Sequence, residues 1–448
     1  NLRVDFFARP DGGTPTPLGS RFGDQIELTS FTLGPQPVPA DDVLRVTLNW
    51  RAQQRPSNRY AVLLHLEDEQ GQVWSYGDSE PVGDSAPTDT WQAGAEVVDR
   101  RGLWPMPGTP PGEYRVLAGL YPLDGGPRLK ITAGPGEGDS LTLGKVRVTG
   151  PERAYDPAVF KNLGRLDLPV GGQVRLLGHS PLPTGKVFKP GEKVEMVLFW
   201  QAITAPGIDL LTSLTLVEKN GEPAGKLDSR PVGGTFPSTE WAAGQLVRDV
   251  YELEIDPAAL NGDYRLQLSV KDARTGEVLA LSGASMLDLG RLNVAFPRRF
   301  DVPAMQTRVD ASFSDQAELL GYDVETPSGK GLGGVKRGEE LTITLHWRAR
   351  KRMPESYTVF LHFVDKQGRM VGQSDSPPVS GQRPTSSWAQ GEVVSERRVV
   401  RVPVDTPVVE AVIKVGLYAL TTGQRLSVST AAGPQPDGQV ELKTLAIE

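Results

Sequence analysis

The sequence contains no cysteine among its 448 residues. Disulfide bonds, thiolate catalysis and cysteine zinc sites are therefore excluded, and the stability of the fold has to come from packing. A run of about 18 apolar residues is also missing, so no segment is expected to span a bilayer. The chain has no signal segment at its start and begins at Asn1 instead of methionine, which indicates a processed or truncated product.

Positive charge is not in excess either. Lysine and arginine number 48 against 55 aspartate and glutamate residues, a net charge of -7. Without a basic patch that neutralises phosphates, nucleic acid is not an expected partner. Glycine and proline, by contrast, are frequent, at 50 and 38 residues. Such a composition favours short strands joined by turns, so we predict an all-β protein, which at this length has about three domains.

An internal repeat sets the domain organisation. Trp50, Trp200 and Trp347 each end a strand-like segment, and a second tryptophan follows each of them 41 residues later. Glycine, an Asp-Ser step and proline recur at fixed offsets between the two tryptophans. The matched positions are Gly71, Gly221 and Gly368, Asp78, Asp228 and Asp375, Pro81, Pro231 and Pro378, and Trp91, Trp241 and Trp388. This gap-free match predicts triplication of one domain, with units at 1–150, 151–300 and 301–448.

Each unit is predicted to be an immunoglobulin-like or jelly-roll-like β-sandwich of about eight strands. In the segment from Leu44 to Arg51, apolar residues alternate with polar ones, as in a strand with one solvated face. We expect the tryptophans to be buried anchors and the Asp-Ser step to cap a turn through its side chains. In this interpretation the recurring residues are those that each unit needs to fold. The alternative is that they form the same ligand site in every unit.

Motifs of known enzyme classes are missing from the sequence. It has no Gly-x-Ser-x-Gly elbow, no His-Glu-x-x-His motif and no phosphate-binding glycine loop. We therefore predict no catalytic residue, no cofactor and no enzymatic activity. His346 and His362 raise the question of a zinc site, but the spacing shows no carboxylate partner, so no metal site is predicted.

Two pairs of histidine and tyrosine are candidate ligand-binding residues. Alternation places Tyr121 of the first unit and Tyr418 of the third on one face of their strands. If this strand neighbours the histidine-bearing strand, as in immunoglobulin sandwiches, His65 with Tyr121 and His362 with Tyr418 form two outward aromatic patches. The second unit has Thr215 in place of the histidine. An aromatic ring with hydrogen-bonding neighbours suits a sugar, whereas exposed tyrosines on sheets are also common without any ligand.

The second unit differs at another outward face. Val197 and Phe199 replace Thr47 and Asn49 of the first unit. Two apolar side chains at positions that are polar in a sibling copy predict a covered surface, against a neighbouring domain, a linker or a partner chain.

The repeated motif resembles a known module. In the third unit it comprises the strand ending at Trp347, Gly368, Asp375, Trp388 and the segment Gly416-Leu417-Tyr418. It is similar to β-sandwich modules of Chloroflexota-type bacteria, which follow the membrane helices of mannosyltransferase-like glycosyltransferases and occur in other exported proteins. The resemblance implies an extracytoplasmic location, secreted or at the cell surface, and brings no functional residues.

The sequence therefore predicts a non-catalytic, exported surface module that acts as a spacer and interaction platform. A cell-surface glycan or an envelope protein is the expected partner. The alternative is an accessory ectodomain of a membrane-bound glycosyltransferase, whose catalytic part is not in this chain.

Overall fold

The computed structural model describes residues 13–161, 163–326, 329–330 and 335–448. Within these ranges the secondary structure consists of β-strands and short 3-10 helices, and the strands form six sheets in three pairs. The chain is an all-β protein of tandem β-sandwiches. We refer to the pairs of sheets as the first, second and third sandwich.

The strands are numbered in chain order. The first sandwich comprises β1 (Thr16–Phe22), β2 (Ile26–Leu33), β3 (Val38–Pro39), β4 (Leu44–Ala52), β5 (Tyr60–Glu67), β6 (Val73–Tyr76), β7 (Glu96–Leu103), β8 (Gly112–Pro122), β9 (Ile131–Ala133) and β10 (Ser140–Thr149). Its sheets have the strand orders β7-β4-β2-β1-β9 and β3-β10-β8-β5-β6.

The second sandwich follows a linker. It comprises β11 (Gly164–Val170), β12 (Val174–His179), β13 (Val187–Phe188), β14 (Lys193–Ala202), β15 (Leu210–Val217), β16 (Pro223–Ser229), β17 (Leu246–Glu254), β18 (Gly262–Asp272), β19 (Val278–Leu279) and β20 (Leu287–Val294). The sheets are β11-β12-β14-β17 and β13-β20-β18-β15-β16, and β19 pairs with β18.

The third sandwich has the same central strands. It comprises β21 (Thr307–Phe313), β22 (Ala317–Thr326), β23 (Gly329–Lys330), β24 (Glu340–Ala349), β25 (Tyr357–Asp365), β26 (Met370–Ser376), β27 (Val393–Arg401), β28 (Val409–Ala419), β29 (Val428–Thr430), β30 (Gly433–Gln435) and β31 (Val440–Ile447). One sheet has the order β27-β24-β22-β21-β29-β30, with β23 on β22, and the other β26-β25-β28-β31.

Short 3-10 helices lie in the connections. They span Thr88–Thr90, Pro157–Val159, Pro231–Gly234, Ser238–Glu240, Pro378–Gly381, Thr385–Ser387 and Pro436–Gly438. Three of them, one in each sandwich, directly precede the second tryptophan of the repeat.

The strand order is that of an immunoglobulin-type sandwich, in which strands A, B and E share one sheet and C, F and G share the other. In the first sandwich, β2, β4 and β7 take the places of A, B and E, and β5, β8 and β10 those of C, F and G. The short strand β3 leaves the first sheet and pairs in parallel with β10, where Val38 lies opposite Val148. This arrangement favours the immunoglobulin-like alternative over the jelly roll.

A tyrosine at the start of the F-type strand supports this assignment. The hydroxyl of Tyr114 donates to the carbonyl of Pro110 at 2.7 Å, and that of Tyr264 donates to the carbonyl of Leu260 at 2.8 Å. A tyrosine that bonds to the backbone a few residues upstream is the tyrosine corner of immunoglobulin-like domains. The third sandwich has Ala411 at the matching position.

The core of each sandwich is built around the repeated tryptophans. Trp50, Trp200 and Trp347 are at most 1% exposed, which confirms that they are buried anchors. The indole N–H of Trp347 donates to the buried carboxylate of Glu396 at 2.9 Å, and Trp200 donates to Asp249 at 3.2 Å. Along β4, buried and more exposed residues alternate as the sequence predicted.

Candidate functional site

The candidate site of the first sandwich is built on a buried ion pair. The carboxylate of Asp99 is inaccessible to solvent and accepts a 2.7 Å hydrogen bond from Nε of Arg101. The remaining nitrogens of Arg101 donate to the carbonyls of Gly77, Ser79 and Glu80 and to the hydroxyl of Ser79. One guanidinium thus holds the loop that follows β6, and this loop contains Asp78.

Asp78 brings the predicted site residues of this face together. Its Oδ1 lies 3.1 Å from Nε2 of His65 and accepts the backbone N–H of Leu64 at 2.9 Å. Burial raises the pKa of Tyr121, and the neighbouring Asp78 carboxylate, which accepts a hydrogen bond from the phenol, raises it further. His65 and Tyr121 lie on the neighbouring strands β5 and β8, in register with Leu117 and Ala61. Both therefore contact one carboxylate.

An exposed aromatic residue completes this face. The ring of Tyr76 meets that of His65 edge to face, with 5.0 Å between their centroids, and 59% of Tyr76 is exposed. Glu67 adds a second carboxylate, 3.7 Å from Nδ1 of His65. The face thus offers a flat aromatic surface beside hydrogen-bonding acceptors, which suits a polyhydroxylated ligand.

The third sandwich repeats the same plan. Glu396 and Arg398 form the buried pair, at 3.0 Å, and Arg398 donates to the carbonyls of Ser374 and Ser376. These bonds hold the loop with Asp375, whose carboxylate lies 3.0 Å from Nε2 of His362. In the first and third sandwiches the aspartate of the Asp-Ser step thus contacts a histidine as well as shaping a turn.

A buried phenylalanine lies between His362 and Tyr418. The ring of Phe360 lies 4.7 Å from that of His362 and 6.3 Å from that of Tyr418, and the guanidinium of Arg425 stacks over it at 4.3 Å. Gly416 on β28 makes room, because a Cβ there would lie 2.3 Å from the ring. Sequence alternation located the two predicted residues on this face but did not reveal Phe360 as the group that links them.

The second sandwich has a different surface at these positions. Tyr251 replaces the arginine of the buried pair, and Thr215 replaces the histidine. Asp228 bonds with Lys226 at 2.8 Å, which lowers its pKa together with a hydrogen bond from Ser213. The histidine-centred face is therefore a property of the first and third sandwiches.

The linker covers part of the apolar patch of the second sandwich. Val197 is 4% exposed, and the ring of Phe199 lies 4.5 Å from that of Phe160, which follows the 3-10 helix Pro157–Val159. Phe160 also belongs to a small apolar cluster with Leu177 and Leu246 that lies outside the main core. The linker thus covers Phe199, and the role of Val197 and Phe199 in binding a partner stays a prediction.

His346 and His362 lie on different sheets. His346 is on β24 and His362 on β25, and the two side chains point out of opposite sheets of the sandwich. The structure therefore does not bring the two histidines together, because they belong to opposite sheets with the core between them. In the described part of the chain, no group of three or more histidine, cysteine or acidic side chains has the geometry of a metal site.

Two signals for the buried acid–arginine pairs were present in the sequence. The acids Asp99, Asp249 and Glu396 recur at the same offset after the first tryptophan of each unit, and arginine follows two residues later in two of them. Charged residues at a repeated position inside a strand indicate a buried pair. Sequence reasoning missed this pair because it followed only identical residues.

Comparisons with known proteins identify no family for this chain. No family model matches it, and no curated protein is similar to it. Among solved structures, it is similar to the C-terminal domain of the Streptococcus agalactiae AgI/II polypeptide BspA, with 11% identity and a TM-score of 0.17, over 60% of this chain and 96% of that chain. It is also similar to Salmonella alpha-2-macroglobulin reacted with methylamine, with 10% identity and a TM-score of 0.17, over 96% of this chain and 24% of that chain. No helix among the described residues is long and apolar enough to cross a membrane.

Proposed function

We propose that the chain is an exported bacterial spacer and interaction platform, in which three sandwiches are held in a fixed relation. The observation that supports this best is Arg298, in the linker between the second and third sandwiches, whose side chain is only 3% exposed. It donates to Glu392 and the carbonyl of Ser387 in the third sandwich, at 2.6 and 3.0 Å. It also donates to the carbonyls of Pro257 and Ala259 in the second, at 3.2 and 2.9 Å.

Further contacts stiffen this junction. The backbone N–H of Val393 donates to the carbonyl of Arg299 at 2.7 Å, so the linker extends the edge of β27. Arg383 reaches the same Glu392 carboxylate at 2.6 Å. Because a buried charge without its partner costs several kcal/mol, bending at this junction is opposed by the loss of the Arg298 pair.

The junction between the first and second sandwiches is also packed. The backbone N–H of Arg248 donates to the carbonyl of Gly108 at 3.0 Å, and its guanidinium lies 5.6 Å from the ring centre of Trp74. Tyr155 in the linker donates to the carbonyl of Ala40 at 2.7 Å. Val232 packs against the apolar cores of both sandwiches. Both junctions thus favour a spacer with limited bending.

Distance measurements between spin labels test the spacer. Since the chain has no cysteine, Glu277→Cys and Gln424→Cys place one label on each of the last two sandwiches. We expect a narrow distance distribution that broadens in Arg298→Ala. Arg299→Ala is the matched control, because this neighbouring side chain is exposed. A broad distribution in the unmodified junction would contradict a fixed spacer.

The platform part of the proposal rests on the faces around His65 and His362. Their aromatic rings and carboxylates are suited to glycans, and the family resemblance of the repeat supports a location where glycans are met. A glycan array tests it with the variant in which both Asp78 and Asp375 are replaced by Ala. We expect that the intact chain binds and the double variant does not, whereas Asp228→Ala in the second sandwich still binds. No glycan bound by the intact chain would leave an envelope protein as the partner and refute the glycan part.

A further inference from the structure

A chain of hydrogen bonds joins serine, histidine and aspartate across three neighbouring strands of the third sandwich. His346 on β24 lies between Ser395 on β27 and Asp323 on β22. Its Nδ1 is 2.7 Å from Oγ of Ser395, and its Nε2 is 2.8 Å from Oδ2 of Asp323. The histidine is 4% exposed, whereas Ser395 is exposed. The hydroxyl is therefore accessible while its histidine partner is shielded.

This order of groups is the one that activates a serine. When Asp323 accepts the N–H at Nε2, the lone pair at Nδ1 is left to accept the O–H of Ser395. Asp323 is itself oriented, because the backbone N–H of Gln306 donates to its Oδ1 at 2.6 Å. A nucleophile bonded to a base, and a base bonded to a third group that orients it, are the parts of nucleophilic catalysis.

The strand geometry adds a backbone donor. β27 is the edge strand of its sheet, and Val393 directs its N–H away from β24, to the carbonyl of Arg299. Because the direction alternates along a strand, Ser395, two residues later, also directs its N–H away from β24 and towards the open edge. The nucleophile's own N–H is one of the donors of the oxyanion hole in serine hydrolases. Ser395 thus has a donor beside its hydroxyl.

The three residues are specific to the third sandwich. The matching register positions hold Thr32, Asn49 and Val98 in the first sandwich, and Ser180, Phe199 and Arg248 in the second. Neither set contains a base beside a hydroxyl nucleophile. Because the other two copies fold without this arrangement, the fold does not require it.

We propose that Ser395 is an activated nucleophile that accepts the acyl group of small carboxylic esters, an activity that goes beyond a spacer. Oγ of Ser395 forms a bond to the ester carbonyl carbon while its proton passes to Nδ1 of His346. The carbonyl re-forms, the bond to the alcohol oxygen breaks, and the leaving alcohol takes the proton from Nδ1. Water then repeats the sequence and releases the acid. Because the hydroxyl lies on an open sheet face, substrate specificity is expected to be low. Small activated esters, which react without extensive binding contacts, are therefore the expected class.

Labelling of the full chain with a fluorophosphonate probe, followed by peptide mass spectrometry, tests this proposal. We expect an adduct on Ser395 that is lost in Ser395→Ala and forms about 100-fold more slowly in His346→Gln, the typical contribution of a positioned base. p-Nitrophenyl acetate is expected to release one equivalent of nitrophenol in a burst that Ser395→Ala abolishes.

A matched control places a serine at the same register position without the base. Val98→Ser in the first sandwich puts the new hydroxyl on β7 opposite Asn49, and we expect no adduct there. Equal labelling of this serine and Ser395, or labelling that His346→Gln leaves unchanged, would overturn the proposal. If His346→Gln does not fold, the alkylation rates of Ser395→Cys and Val98→Cys decide instead. The first is expected to be at least 10-fold faster at neutral pH, and equal rates would overturn the proposal.

Asp323 is a positioning residue, because it acts through His346. Its test is the dependence of the labelling rate on pH. We expect Asp323→Asn to lower the rate and to change the pH at which it is half-maximal, and Asp323→Glu to restore part of the rate. If Asp323 had a purely structural role, Asp323→Asn would lower the melting temperature and leave the pH profile of labelling in the folded fraction unchanged.

Discussion

The second sandwich is expected to lose stability as the pH rises towards neutrality, because of one buried acid. Asp249 occupies the position of Asp99 and Glu396 but has Tyr251 where the others have arginine. Burial raises the pKa of Asp249 to about 7, against the opposing effect of its hydrogen-bond donors. These donors are Tyr251, the backbone of Val232 at 2.8 Å and the indole of Trp200 at 3.2 Å.

The magnitude follows from the difference between the folded and unfolded chain. An unperturbed aspartate has a pKa of about 4, and one pKa unit corresponds to about 1.4 kcal/mol. Between pH 4 and 7 the folded sandwich retains a proton that the unfolded chain has released, so its free energy of unfolding falls as the pH rises. The loss approaches about 4 kcal/mol and is complete above pH 7. Asp249→Asn, which cannot ionise, is expected not to show it.

Hydrogen exchange measured by mass spectrometry is the suitable assay, since three sandwiches need not unfold together. Peptides from β14 and β17 report the opening free energy of the second sandwich after correction for the pH dependence of intrinsic exchange. The quantity of interest is the difference between the wild-type chain and Asp249→Asn, because other titrating groups cancel. We expect this difference to change by about 4 kcal/mol between pH 4 and 7.

A rescue variant makes the test specific. Tyr251→Arg supplies the guanidinium that Arg101 and Arg398 provide in the other sandwiches, and we expect it to remove most of the pH dependence. If the wild-type chain and Asp249→Asn keep a constant difference across this range, Asp249 is ionised throughout and the reasoning is refuted.

Three further substitutions test the packing of single residues. Trp347→Ala is expected to destabilise the third sandwich by about 3 to 5 kcal/mol, measured by denaturant unfolding, and a loss below about 1 kcal/mol would contradict its role as a core anchor. Tyr114→Phe removes the hydrogen bond to Pro110 and is expected to cost about 1 kcal/mol in the first sandwich, seen as faster hydrogen exchange in β8. Phe199→Asn removes the contact with Phe160 and is expected to lower the free energy of unfolding of the second sandwich by about 1.5 to 3 kcal/mol. An unchanged melting temperature would contradict this expectation.

The sequence was sufficient for the sandwich fold because the core residues repeat. Trp50 and its equivalents recur with a strict offset, and alternation along β4 separates the buried face from the solvated one. The sequence could not decide between an immunoglobulin-like and a jelly-roll strand order. That choice depends on pairings such as Val38 with Val148, which join residues about 110 positions apart and leave no local pattern.

The candidate faces were predictable only in outline. His65 and Tyr121 do lie on neighbouring strands, as the immunoglobulin-like order leads one to expect, but the carboxylate that joins them, Asp78, was interpreted as a turn cap. Its position depends on Arg101, which reaches the loop from the other sheet of the sandwich. Contacts between two sheets have no period in the sequence, so spacing alone does not reveal them.

Differences between the three sandwiches are the better guide to function. Every sandwich has a buried acid at the same offset after its first tryptophan, and in the first two this acid accepts a backbone N–H of the loop after β6 or β16. Only the second copy replaces the accompanying arginine, by Tyr251, and that exchange turns a buried ion pair into a group that titrates near neutrality. The outward positions follow the same logic. One register position holds Asn49, Phe199 and His346 in the three sandwiches. Asn49 forms a hydrogen bond within the sheet, and Phe199 packs against the linker. His346 connects Ser395 to Asp323. Because the fold accepts all three side chains, the residue at this position is free to be set by what each sandwich does.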